Sequence, residues 1–241
     1  MTKTSEILIT GANGGLGRSL VKSFSRSGFN VVAVTRELEP QFVEWCKELE
    51  ETTGHKVINE LLNLEDASQA QAKAREIVDR NPDLDHFINN AAIAFGSLIL
   101  MTPLSSLRKV YEVNLISQFC ITQVFVKHMV RKKHGKITNI SSVTANIPLP
   151  GTFAYGSSKI ALEYLTKVMA LELADTGIVV NGIELGLVQT KMLEKMDEKS
   201  RNLLVSEDYN LTILEPDFVA NKIVENIMQL SSKTSGSIVR I

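Results

Sequence analysis

Short runs rich in β-branched residues alternate along this chain with longer segments of helical period, and that alternation leaves few folds open. Parallel strands cannot be joined by tight turns; they need a crossover, and helices of these lengths supply it. The strand runs are Glu6 to Thr10, Asn30 to Thr35, Val57 to Leu62, His86 to Asn89, Lys136 to Ser141, Ile178 to Glu184 and Ser237 to Ile241. Between them lie helical segments at Arg18 to Ser27, Phe42 to Thr52, Ala67 to Arg80, Leu107 to Lys132, Tyr155 to Ala174 and Phe218 to Leu230. The pattern predicts an α/β chain with one doubly wound, mostly seven-stranded parallel sheet, helices on both faces and right-handed crossovers. At 241 residues this is one domain, 1–241, interrupted only by a polar stretch from Gln189 to Asn210.

Charge narrows the function. Lys and Arg total 26 against 27 Asp and Glu, so no net field favours nucleic acid or an anionic membrane. The most apolar stretch, Ala91 to Met101, is broken by Gly96 and Ser97 and falls short of the ~18–20 residues of a membrane span. The apolar run near the N-terminus is too short for an export signal, so a cytoplasmic location is expected. Cys46 and Cys120 form no CxxC pair and have no His at ligand spacing, which predicts buried free thiols and no metal site.

Between the first strand and the first helix stands Thr10-Gly11-Ala12-Asn13-Gly14-Gly15-Leu16-Gly17. Glycines allow a tight turn and a close backbone approach, and bare amides at a helix N-terminus bind a pyrophosphate without basic side chains. A tight strand-to-helix turn also wants glycine for its own geometry, but the complete βαβ context favours a dinucleotide. The second strand ends Val34-Thr35-Arg36. In dinucleotide folds an acid there receives the ribose hydroxyls, whereas a basic residue neutralises a 2′-phosphate. Thr35 stands where the acid is expected and Arg36 offers a fork suited to phosphate, so NADP(H) is favoured over NAD(H). Glu37 would reverse that preference if the strand ran one or two residues further.

Tyr155 and Lys159 lie four residues apart, one turn from each other on a helix face. Their helix follows a strand and a Pro-rich loop, which places its first turn at the carboxyl ends of the strands, where open α/β sheets bind ligands. A phenol titrates near pKa ~10. A neighbouring cation, joined by the charge of an oxidised nicotinamide, lowers that value toward the range useful for acid–base catalysis. Ser142 lies thirteen residues earlier, just past its strand, where its hydroxyl can bond a substrate carbonyl; Ser141 is an equal candidate on spacing alone.

Taken together, these motifs resemble the classical short-chain dehydrogenases/reductases, and 3-oxoacyl-carrier-protein reductases in particular, over nearly the whole chain. Thr10, Gly11, Gly15 and Gly17 match the family's glycine motif, and Asn89-Asn90-Ala91-Ala92 matches its NNAG segment with Ala92 for the last glycine. Asn114, Ser142, Tyr155 and Lys159 match its catalytic set, which selects Ser142 over Ser141. The resemblance implies a Rossmann fold in which Tyr155 is the general acid/base, Lys159 lowers its pKa and binds the nicotinamide ribose, Ser142 polarises the carbonyl, and Asn114 supports a water relay. It implies cofactor contacts from Gly11, Asn13, Gly14, Gly15, Leu16, Gly17, Arg36, Asn63, Leu64, Asn90, Ala91, Val188 and Thr190, together with Tyr155 and Lys159.

The match is incomplete in places. Leu185-Gly186 replaces the family's Pro-Gly, Asn63 replaces an acid near the adenine, and Gly14 stands where NADP-dependent members often carry a basic residue. The substrate groove is expected between Ile93 to Phe95, Val143 to Phe153 and a lid at about 189–210, an apolar frame suited to a ketone or alcohol, free or carrier-bound. Lys133 suits docking of an acidic carrier, and Thr176 stands where a second basic residue would help. Relatives form dimers or tetramers through the helices matching Leu107 to Lys132 and Tyr155 to Ala174, so a homo-oligomer is expected. The competing reading is a non-catalytic nucleotide sensor or scaffold on the same fold, against which the intact Asn114, Ser142, Tyr155 and Lys159 set argues.

Overall fold

The computed structural model describes residues 4–196, 198–206 and 211–241. Strand β1 (Glu6–Thr10) leads through α1 (Gly15–Arg26), β2 (Asn30–Thr35), α2 (Pro40–Thr53), β3 (Val57–Leu61) and α3 (Ala67–Arg80) to β4 (Leu84–Asn89). Helices α4 (Leu104–Tyr111) and α5 (Ser117–Lys132) follow, then β5 (Gly135–Ser142), α6 (Phe153–Glu172) and β6 (Ile178–Leu185). The chain closes with β7 (Leu187–Val188), α7 (Lys191–Glu194), α8 (Glu198–Val205), β8 (Ile213–Leu214), α9 (Pro216–Gln229) and β9 (Ile238–Arg240).

Among the described residues the main sheet has seven parallel strands in the order β3-β2-β1-β4-β5-β6-β9. The order reverses between β1 and β4, the switch point at whose carboxyl side such sheets form a crevice. Side chains alternate across the sheet as the strand period requires. Ile7, Ile9, Val31 and Ala33 pack under α1, α2 and α9, while Leu8, Val32, Val34 and Phe87 pack under α3, α5 and α6. In α1 the spacing of Leu16, Leu20, Val21 and Phe24 buries one stripe, and Gly28 at φ +94° lets the chain leave the helix. Of the two thiols Cys46 is buried but Cys120, on α5, is only half-buried, which corrects the expectation for that residue.

Two differences from the sequence pattern bear on the site. The expected single helix from Leu107 to Lys132 is α4 and α5 joined by a π turn at Glu112–Ile116. The polar stretch after Gln189 carries regular structure: α7 and α8, with the parallel pair β7 and β8, bury Leu187, Leu193 and Leu204 against Leu149 in a small core of their own. Asp197 and residues 207–210 of the expected lid lie outside the described residues.

Glu6 opens β1 almost fully buried, and its Oε1 has no hydrogen-bond partner among the described residues. Burial, with Asp83 and Asp85 nearby, holds its carboxyl above the ordinary glutamate range against the opposing pull of Lys132 and Lys56. Such a group binds its proton more tightly when folded, so its contribution to stability is lost as pH rises through the folded-state pKa. Glu6→Gln should therefore raise the thermal midpoint at neutral pH by a few degrees, on the order of 1 kcal/mol. The gain should vanish at about pH 4 or below, where the carboxyl is protonated in both states. A midpoint shift that is the same at both pH values would contradict this account.

Candidate active site

The turn from β1 into α1 is possible only with glycine at two points. Gly11 has φ +67°, and a Cβ on Gly17 would stand 2.0 Å from the Gly11 carbonyl oxygen. Helix α1 starts with Gly14 as its N-cap, with no capping side chain and no acid in its first turn, so its free N–H groups face an open end. The loop is held by Ala12 N donating to Val34 O (3.0 Å) and Gly14 N to Gly11 O (3.0 Å). Arg18 Nε donates to Asn13 Oδ1 (2.8 Å) while its guanidinium lies over Phe42 and Trp45, and Leu16 is buried beneath the loop. Gly15 packs directly against Thr190: a Cβ there would meet Thr190 Cγ2 at 2.9 Å. The segment after β7 thus closes over the glycine turn, with Val188 half-buried below it.

Thr10 joins this turn to the end of β4. Its hydroxyl oxygen accepts from the backbone N–H groups of Asn90 and Ala91, both at 3.0 Å, while Asn90 Nδ2 donates to Thr10 O at 2.8 Å. The next residues are held by Asn114 in the π turn. Its Oδ1 accepts from Ile93 N and its Nδ2 donates to Ile93 O, each at 2.9 Å, and Nδ2 also donates to Ser158 Oγ at 3.1 Å on α6. A π turn inserts one residue into the helix ladder and aims a side chain that a regular helix would not.

Ser142 ends β5 and Tyr155 and Lys159 lie in the first two turns of α6. Ser142 Oγ accepts from Thr144 N (3.3 Å) and Thr144 Oγ1 (3.0 Å), and the Tyr155 phenol lies near enough to feel it. Strand alternation turns Ser141 the other way, where it donates to Glu163 Oε1 at 2.6 Å, so the serine beside the phenol is Ser142. Lys159 is buried, its Nζ donating to Ile140 O (2.7 Å) and lying 5.6 Å from the Tyr155 ring centroid. Gly156 permits the close approach of α6 to the turn after Ser142, since a Cβ there would be 2.6 Å from Thr144 O.

Burial dominates the electrostatics of the trio in the protein alone. Burial pushes the Tyr155 phenol up to about 12, against a hydrogen bond from Ser142 that pulls it down. Burial also pushes the Lys159 ammonium down to about 8. In the protein alone desolvation therefore outweighs the effect of the lysine on the phenol, because the ammonium is itself desolvated and bonded to a carbonyl.

The family model for short chain dehydrogenases matches residues 5–201. The chain belongs to that family. Membership makes this dehydrogenase an NAD(P)-dependent oxidoreductase acting on CH–OH and C=O groups. It is 32% identical to the 3-oxoacyl-(acyl-carrier-protein) reductase of Thermotoga maritima over 236 residues, 97% of this chain and 94% of that protein. Among solved structures, ElxO with NADP bound superposes with a TM-score of 0.86 at 25% identity, covering 99% of this chain and 97% of that one. Acetoin dehydrogenase from Enterobacter cloacae gives a TM-score of 0.85 at 26% identity, over 100% and 95% of the two chains.

The residues of the dehydrogenase fit a dinucleotide on their own terms: the α1 N-terminus is uncapped and glycines stand where a Cβ would fill the cradle. At the far end β2 stops at Thr35, as its sequence suggests, and Arg36 is the first residue beyond it. Arg36 is exposed and paired with Glu37 (3.3 Å) and Glu65 (3.6 Å), and Glu65 in turn holds Lys109 of α4 at 2.9 Å. Glu37 thus faces the guanidinium. Asn63 Oδ1 accepts from Glu65 N (3.0 Å), while the Leu64 side chain is buried in the core under α3 and α5. Thr10 and Gly156 are site-shaping residues that spacing alone did not single out, although Thr10 lies within the glycine motif.

No helix among the described residues is long and apolar enough to cross a membrane, and no group of three or more His, Cys, Asp or Glu residues there is placed to hold a metal ion.

Proposed function

We propose that this dehydrogenase uses NADP(H) in preference to NAD(H) and interconverts a ketone with its secondary alcohol, with Tyr155 as the general acid/base. The observation that carries the reading is the Tyr155 phenol beside Ser142, with Lys159 buried and 5.6 Å from its ring, at the carboxyl ends of the strands next to an uncapped glycine turn. Bound nicotinamide supplies or accepts the hydride. In the reducing direction Ser142 donates to the carbonyl oxygen and Tyr155 Oη delivers the proton to that oxygen as negative charge develops on it. Lys159, desolvated and close to the phenol, favours the phenolate left behind and binds the nicotinamide ribose. Asn114 has both ends of its amide engaged by protein, so a proton relay through water starts from its main chain rather than its side chain.

Gly11, Gly14, Gly15 and Gly17, with Asn13 and Leu16, form the pyrophosphate turn; Asn90, Ala91, Val188 and Thr190 line the nicotinamide side; Arg36, Asn63 and Leu64 frame the adenosine side. Leu64, its side chain committed to the core, contributes through its backbone. The substrate is a carbonyl or alcohol compound, free or carrier-bound, framed by Ile147, Leu149 and Phe153 and bordered by residues 189–196 and 198–206 of the expected lid. The whole chain acts as one domain in the cytoplasm. It assembles with copies of itself through the outer faces of α5 and α6, where Phe119, Ile160, Tyr164 and Leu171 are exposed.

The test is NADPH oxidation with a panel of ketones and 3-oxo esters. Turnover with some member supports the reading; tight NADPH binding with no turnover would favour a sensor. Arg36→Ala should raise the NADPH dissociation constant roughly 10- to 100-fold, the worth of a charge-assisted contact to phosphate, and leave that for NADH within a few-fold. Equal changes for both cofactors would remove Arg36 from the discrimination.

A further inference from the structure

Behind Ser142, facing away from the phenol, three elements meet on one side chain that none of the roles above includes. Asn146 closes the short turn after β5, its backbone N–H donating to Val143 O at 3.0 Å. Its Nδ2 carries two protons and meets two buried carboxylates: Glu184 Oε2 of β6 at 2.7 Å and Glu163 Oε2 of α6 at 3.4 Å. Both acids are anchored on their other oxygen. Glu163 Oε1 accepts from Ser141, and Glu184 Oε1 accepts from Arg240 Nε of β9 at 2.5 Å. The backbone continues the clamp, with Ile241 N donating to Glu184 O (3.0 Å) and Gly186 N to Ile241 O (2.9 Å).

We propose that Asn146 and Glu184 are positioning residues: a forked amide and its carboxylate fix the turn carrying Ser142 against both the helix carrying Tyr155 and the segment that covers the glycine turn. The three bodies so joined carry Ser142, Tyr155, Lys159 and the segment leading to Thr190; Asn114, in the π turn, lies outside them. Ser142 precedes Asn146 by four residues and takes its orientation from the turn that Asn146 closes. Tyr155 lies two turns before Glu163 on the same helix, and three residues past Glu184 begins the strand leading to Thr190, which rests on Gly15. A single amide bridging two buried carboxylates is costly to leave half-made, because an unpaired buried acceptor carries its full desolvation cost. The brace therefore resists opening, and hydride and proton transfer depend on sub-ångström placement.

The inference rests on the proposed reaction for its catalytic arm, and a second arm is independent of turnover. Asn146→Ala and Glu184→Ala should lower kcat with an accepted ketone about 10-fold or more while the NADPH dissociation constant stays within about three-fold. Glu184→Gln, which still accepts from Asn146, should recover most of the loss. The primary isotope effect with 4-deuterated NADPH should rise as transfer becomes slower. In the second arm, hydrogen exchange of the NADPH-saturated protein should quicken together in residues 143–147 and 185–190 in Asn146→Ala and remain unchanged in α1. A fall in activity fully explained by a lower melting midpoint, with kcat and isotope effect of the folded fraction unchanged, would overturn the proposal. So would exchange that quickens in only one of the two segments. If the wild type reduces no carbonyl, the proposed function fails, and coupled exchange still decides whether the brace exists.

Discussion

Tyr155→Phe should lower turnover with NADPH and any accepted ketone by about 100- to 10,000-fold, the range for removing a positioned general acid, while NADPH affinity and the melting midpoint change little. The Ser142 hydroxyl beside the phenol keeps Thr144 as a partner when the phenolic oxygen is gone. The ring stays, and with it the packing of α6 on the turn. What is lost is one proton donor facing the place where the carbonyl oxygen gains charge. Lys159 does not stand in its place: its Nζ is bonded to Ile140 O and lies 5.6 Å from the centroid of the Tyr155 ring. The pH dependence follows from the same burial. A phenol pushed up to about 12 keeps its proton throughout the neutral range, so ketone reduction, which starts from the protonated form, should hold steady around neutrality. Alcohol oxidation starts from the phenolate and should climb with pH across the alkaline range. Stopped-flow or steady-state NADPH absorbance measures both. A Phe variant that keeps a tenth or more of wild-type kcat would remove Tyr155 from the chemistry.

The positions of Ser142, Tyr155 and Lys159 were legible in the sequence because local rules and family spacing set them, while the groups that hold them in place were not. Strand alternation decides between Ser141 and Ser142, but only once the register Ser142↔Leu185 fixes which face each takes. The glycine turn is readable since a Cβ at residue 11, already at φ +67°, would meet Ala91 Cα at 2.9 Å, and one at residue 17 would stand 2.0 Å from Gly11 O. Asn146, Glu163 and Glu184 come from a turn, a helix and a strand, and no periodicity within any one of them shows that the three converge. The π turn at Glu112–Ile116 is invisible for a related reason: its residues continue the apolar pattern of the flanking helices, and the extra residue is accommodated by backbone geometry alone. The stretch after Gln189 looks like loop because its core is four leucines, one of them, Leu149, contributed from forty residues upstream.

Gly17→Ala should weaken NADPH binding at least about 100-fold and cost the fold about 1–3 kcal/mol or more, the range for overpacking a tight contact. The cause is steric. Gly17 lies within α1 with no positive φ, so alanine is acceptable to its backbone and even favours the helix. Its Cβ, however, would stand 2.0 Å from Gly11 O and 2.9 Å from both Ala12 Cα and the Ala12 carbonyl carbon, all backbone atoms with no side chain to swing aside. Relief requires the Gly11–Ala12 peptide to move off the helix. That peptide ties Ala12 N to Val34 O and Gly11 O to Gly14 N, so moving it opens the cradle of amides proposed to receive the pyrophosphate. Gly96→Ala is the control, since a Cβ there meets nothing within 4 Å, and it should leave binding unchanged. Gly15→Ala is the graded intermediate: its Cβ meets Thr190 Cγ2 at 2.9 Å, a side-chain atom whose segment can yield, so affinity should fall less than for Gly17→Ala. Fluorescence titration with NADPH across the three variants checks the order. Binding by Gly17→Ala within three-fold of wild type would mean that this contact does not shape the cofactor turn.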